Sequence, residues 1–286
     1  MRTLCVAITT VVLLAGSAIG VMGQSDQQSR PPISSAGCGT SEVAVGEHYG
    51  SMRVGDTHRW WDLHVPSTHD GSSPVPLVLL FHGFPESPGH VESQTGFGRY
   101  GAQEGFIVVA PAGRGQLPHW MEDDFGDGFF DATGGNPDVI FIEALLDRLG
   151  EELCLDLARV YATGFSNGAM ATSVLACALE DRIAAAAPVG GLVDFGAGCV
   201  QDRPVPLLAF HGTGEELVLY EGGFGPWVLT QEVEGVLWRD LPFMDDPAIF
   251  VPIPDRAAGF AVRNGCEPGP TSEFIAKDVE ILTWSC

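Results

Sequence analysis

Lysine is almost absent from this chain. Lys277 stands alone beside thirteen arginines and faces 37 aspartates and glutamates, so the net charge is −23. Such a field repels phosphate backbones and anionic lipid surfaces, which argues against a nucleic-acid or membrane-surface binder. A solvated acidic surface suited to salty surroundings is the simplest reading of the charge. The chain also lacks a Cys-x-x-Cys pair or any Cys/His cluster with ligand spacing, so no metal site is expected. No apolar run beyond the N-terminus is long enough to span a bilayer. There is no internal repeat, and no histidine follows His211.

What is present begins with a leader. Met1-Arg2 gives a positive start, residues 4–21 are apolar, and small residues around Gly20 and Gly23 offer cleavage sites. Residues 1–23 therefore read as a secretory signal peptide, residues 24–52 as a flexible lead-in, and residues 53–286 as one α/β domain. Export to an extracellular, oxidising setting gives the cysteines a meaning. Cys5 leaves with the leader, and an even set remains: Cys38, Cys154, Cys177, Cys199, Cys266 and Cys286. These are expected to form disulfides, with Cys266 and Cys286 the most local candidate pair.

Short apolar runs at 77–81, 106–110, 160–163, 184–189 and 207–210 have the character of buried parallel strands. Helical patterns separate them. Asn136-Pro137 is a cap followed by a first-turn proline, and Val139, Ile142, Leu145, Leu146 and Leu149 share one face. A second helix, rich in small residues, is expected over 167–179. Alternating strands and helices imply a mainly parallel sheet covered on both faces, with chemistry at the carboxyl ends of the strands.

Gly164-Phe165-Ser166-Asn167-Gly168 lies where a strand gives way to a helix. That context suits a nucleophile elbow: two glycines permit a sharp bend that lifts the Ser166 hydroxyl, and the helix N-terminus faces developing negative charge. The backbone N–H of Asn167 is the first expected oxyanion donor. The second comes from the loop His82-Gly83-Phe84-Pro85; Pro85 has no N–H, so Phe84 is chosen. His82 is read as shaping that loop. After the strand 207–210, Glu215 is the expected triad acid, with Asp194 as the alternative. His211 lies almost beside Glu215 and offers a poor route to Ser166. Among the aromatics Trp120, Phe129, Phe130, Trp227 and Trp238, Trp120 and Trp227 lead as substrate-binding residues because they sit in loops after strand ends.

The run Arg159-Val-Tyr-Ala-Thr-Gly-Phe-Ser-Asn-Gly-Ala-Met resembles the secreted polyhydroxybutyrate depolymerase and feruloyl/acetylxylan esterase family, carbohydrate esterase family one in its wider sense. The likeness extends to His64-Val-Pro, Pro76-Leu-Val-Leu-Leu-Phe-His-Gly, Pro111-Ala-Gly, Pro137-Asp-Val and His211-Gly-Thr. It implies an α/β-hydrolase fold and a secreted serine esterase without cofactor, acting on ester-bearing polysaccharide, polyester or small esters. Glu215 falls where that family has aspartate. The family's catalytic histidine follows one further strand, so the resemblance implies that the last strand and the histidine are missing from this sequence and that β-sheet neighbours of the gap become an exposed edge. A fragment of a longer esterase is the favoured expectation. A non-catalytic binding protein on the same scaffold is the alternative.

Overall fold

The computed structural model describes residues 3–8, 31–40, 43–120, 135–194, 198–199, 201–233 and 235–286. The strands are β1 (Thr3–Ile8), β2 (Gly46–Val54), β3 (Thr57–Val65), β4 (Val75–Phe81), β5 (Ile107–Pro111), β6 (Leu155–Phe165), β7 (Ala185–Val189), β8 (Leu208–Gly212), β9 (Glu232–Val233), β10 (Val236–Leu237), β11 (Thr271–Ala276) and β12 (Val279–Trp284). The α-helices are α1 (Pro88–Thr95), α2 (Phe97–Glu104), α3 (Pro137–Glu152), α4 (Asn167–Ala178) and α5 (Ile253–Arg263). All five apolar runs expected as strands are found in β4 to β8, and both expected helices are found in α3 and α4.

The main sheet has the order β11-β12-β1-β8-β7-β6-β4-β5-β3-β2, while β9 and β10 form a separate pair. Strands β5, β4, β6, β7 and β8 are mutually parallel. They are apolar without alternation because both faces are covered. Leu77, Leu79, Phe81, Ile107 and Val109 point into the larger core, which α3, α4 and α5 complete with residues such as Ile142, Val174 and Phe260. The intervening Val78, Leu80, Val108 and Ala110 meet Val91 of α1 and Phe97 of α2 on the other face.

The strand order carries a functional consequence. From β4 the chain runs outward to β5 on one side, then returns to β6 on the other side of β4. The loops after β4 and β6 therefore diverge, and a crevice opens between them at the carboxyl ends of the strands. The His82 loop and Ser166 flank this crevice.

Two expectations need amendment. Part of the lead-in is tied down: β2 starts at Gly46, Ser35 N donates to Leu155 O at 2.9 Å, and Cys38 is disulfide-bonded to Cys154. The gap expected beside β8 is filled. β1 pairs antiparallel with β8 and parallel with β12, so six residues of the expected leader enter the sheet and β8 is not an edge. Residues 9–30, the remainder of that leader and its junction, lie outside the described residues, as do Phe129 and Phe130. The cysteines pair as Cys38–Cys154, Cys177–Cys199 and Cys266–Cys286, the last as expected.

Candidate active site

The last residue of β6 is Phe165 and the first of α4 is Asn167, so Ser166 is the single residue of the bend. Its backbone sits at φ 55° and ψ −119°, and among the described residues it alone has positive φ without being glycine. Such a conformation costs on the order of 1–3 kcal/mol and persists only where neighbours over-determine it. The neighbours here are explicit. Ser166 N donates to Val189 O at 2.9 Å, and Ala169 N and Met170 N donate to Ser166 O at 2.9 and 3.2 Å. The glycines are required by contact: a Cβ on Gly164 would strike the Gly168 carbonyl, one on Gly168 the Phe81 carbonyl, and one on Gly191 the Ser166 carbonyl. Ser166 is half-buried.

The Asn167 side chain, 6% exposed, spans from the elbow to the loop after β5. Its Oδ1 accepts from Trp120 N at 2.8 Å, and its Nδ2 donates to Trp120 O at 3.3 Å. Trp120 Nε1 in turn donates to His82 O at 3.0 Å. Gly113 N donates to His82 Nε2 at 2.9 Å, which fixes the proton on Nδ1, and Nδ1 donates to Gly83 O at 2.7 Å. Gly83 N is taken by Glu86 Oε2 at 3.1 Å. The three loops at the crevice are thus bound into one hydrogen-bonded frame. Burial pushes the His82 imidazole down to about 4, against the opposing pull of the Gly83 carbonyl. His82 is therefore a neutral strut with both nitrogens engaged, as its loop-shaping reading expects.

Beneath this frame lies a buried ion pair that sequence reasoning passed over. Arg59 Nη2 meets Asp138 Oδ1 at 2.8 Å, with side chains 3% and 1% exposed. The guanidinium also donates to Ala112 O at 3.1 Å and lies 4.0 Å above the Phe141 ring. Asp138 occupies the first turn of α3, where the helix dipole favours a negative charge. The available signal was Pro137-Asp138 behind an Asn cap; its partner on β3 had none.

The other expected site residues are distributed unevenly. Phe84 is half-buried and packs its ring 5.9 Å from that of Trp238 and 6.5 Å from His119. Trp120 is corrected: it is 0% exposed and stands edge-on to Phe81 at 5.1 Å, so its ring supports the frame and offers no surface to a substrate. Its indole N–H needed a buried acceptor, and His82 O supplies one. Trp227 is 63% exposed beside a short 3₁₀ turn. Glu215 follows β8 and accepts from Leu217 N at 2.8 Å. Asp194 is ion-paired with Arg263 of α5. His211 is buried and bonds through Nε2 to Val218 O at 2.8 Å, and burial lowers its pKa. Among the described residues, none of the eight histidines is hydrogen-bonded to Ser166. No group of three or more His, Cys, Asp or Glu able to hold a metal is found among the described residues.

No family model matches the sequence. Individual proteins do. The chain is 32% identical over 181 residues to a bifunctional acetylxylan esterase/xylanase of Neocallimastix patriciarum, covering 63% of this chain and 24% of that protein. It is 31% identical over 224 residues to feruloyl esterase B of Piromyces equi, covering 77% of this chain and 38% of that protein. It is 30% identical over 196 residues to a probable feruloyl esterase C of Aspergillus flavus, at 66% and 65% coverage. The chain thus spans less than two fifths of the length of the first two. The elbow, the crevice at the strand-order reversal and these matches agree: this chain is a relative of the feruloyl and acetylxylan esterases, built on the α/β-hydrolase fold.

Proposed function

We propose that the chain belongs to an exported serine esterase that cleaves carboxylic esters, with feruloyl or acetyl esters of plant polysaccharide leading and polyhydroxyalkanoate next. The observation that carries this reading is the strained, half-buried Ser166 at the N-terminus of α4. Ser166 Oγ attacks the ester carbonyl, and the negative oxygen is received by the N–H groups of Asn167 and Phe84. The alcohol leaves with a proton and the acyl group stays on Ser166. Water then attacks this acyl-enzyme, releasing the acid and restoring the hydroxyl. Trp227 offers an exposed ring to the acyl or polymer portion. Glu215 is preferred as the acid because Asp194 already neutralises Arg263.

Neither His82 nor His211 is placed to be the proton acceptor for Ser166, because both are committed elsewhere. Without that member, turnover falls by roughly 10⁴–10⁶ and the remnant comes from the oxyanion hole and binding. The same gap favours the second reading, a non-catalytic binding protein on a hydrolase scaffold. A fluorophosphonate probe and nitrophenyl acetate separate the two. The esterase reading expects slow covalent labelling and a slow acyl burst, both lost in Ser166→Ala. Equal behaviour of wild type and variant discards it.

A further inference from the structure

Away from Ser166, the molecule holds a cavity of about 880 Å³ between the outer faces of β2 and β3 and the helices α1 and α2. Antiparallel pairing sets Tyr49 opposite Asp62 and Glu47 opposite His64, so these four side chains share the face that looks into it. Glu92 from α1 and Arg99 from α2 close the far wall. Small residues keep the space open: Gly89 lies against Asp62, and a Cβ on Gly98 would run into the His64 ring.

The lining has a definite chemical character. Glu92 uses Oε1 to accept from Gly98 N, while its Oε2 is buried with no hydrogen-bond partner. Both oxygens are therefore closed to the cavity, and Glu92 braces the wall by holding the start of α2. Asp62 has no hydrogen-bonding partner among the described residues, and burial, reinforced by the charge of Glu47 and opposed by His64, raises its pKa. At the mouth, Tyr49 is 65% exposed and lies stacked on Trp60, centroids 5.5 Å apart and planes 28° apart. The pair makes a flat apolar step beside a ring of acceptors.

These features select the occupant. Three carboxylates in a molecule of net charge −23 repel an anion. His64 and Arg99 interrupt the acid lining, and no metal-holding group is found among the described residues. The matching ligand is uncharged, rich in hydroxyl donors, and flat on one C–H face. A sugar ring has these properties. The volume lies near the upper end of the roughly 300–1,000 Å³ of small-molecule sites, which admits several rings in sequence.

We propose that the cavity between β2–β3 and α1–α2 binds a neutral oligosaccharide, with Tyr49 as the stacking platform and Asp62 as a hydroxyl acceptor. Binding there does not require Ser166 to be a nucleophile; only its use in anchoring a polymeric ester rests on the esterase reading.

The test is calorimetric titration of Ser166→Ala protein with xylohexaose, cellohexaose and mannohexaose, with oligogalacturonate as the charged control. At least one neutral hexaose is expected to bind, and Tyr49→Ala and Asp62→Asn should each weaken it by about tenfold or more. Ser93→Trp, placed on the exposed surface of α1 to block the mouth, should abolish it. Thermal unfolding of each variant checks that it is folded. No binding of any neutral hexaose, equal binding by folded Tyr49→Ala and Ser93→Trp, or preference for oligogalacturonate would each overturn the proposal. Because hydrolysis is silenced in the titrated protein, none of these outcomes bears on Ser166 chemistry.

Discussion

Ser166 holds a backbone conformation that a glycine would adopt freely. Ser166→Gly should therefore raise stability by about 1 kcal/mol while removing the nucleophile, whereas Ser166→Ala should leave stability nearly unchanged. Urea unfolding of the three proteins decides this, and a destabilised glycine variant would mean the bend is not strained. His82 gives a pH signature. Its ordinary value is 6.5 and its folded value is about 4. Below 6.5 the unfolded chain takes up a proton that the folded chain refuses, so stability present above 6.5 is lost as the pH falls towards 4. The loss amounts to about 3 kcal/mol at most. His82→Gln should flatten the dependence of unfolding free energy on pH in that window; an unaltered slope would assign it to other groups. The bend at Ser166 between β6 and α4 was legible because the elbow is local in sequence. The Asn167 side chain was not, because its partner Trp120 lies 47 residues away. Trp120 itself was misjudged as a contact surface: an indole serves a wet rim or a buried acceptor equally well, and only the His82 carbonyl distinguishes the two.

At the scale of elements, β4 to β8 were legible because strands covered on both faces are short unbroken apolar runs. β2 and β11 were not, since their residues are mostly exposed or half-buried and carry no such run. The N-terminal segment was read as loose from its Ser, Gln and Pro content, yet a covalent link fastens it. Cys38 and Cys154 are 116 residues apart, and the bond ties the chain ahead of β2 to the start of β6. Replacing both by serine should cost about 2–5 kcal/mol, read as a lowered Tm under non-reducing conditions. A Tm equal to that of wild type would show that the hydrogen bonds of Ser35 suffice.

Across the whole molecule the acidity sets the response to salt. With a net charge of −23, self-repulsion opposes the compact state. Raising the ionic strength from about 0.01 to about 0.15 M shortens the screening length from about 30 to about 8 Å, and Tm should rise. A Tm that falls over this range would indicate that favourable ion pairs such as Arg263–Asp194 outweigh the repulsion.

The same scarcity of positive side chains has a practical sequel. Lys277 is exposed in the two-residue turn joining β11 to β12. It is the one lysine side chain in this sequence open to acylation. The register aligns Val279 through Thr3 with Gly212 at the end of β8. Among side chains, a succinimidyl dye will therefore mark a single corner, on the same rim of the sheet as the loop that carries Glu215.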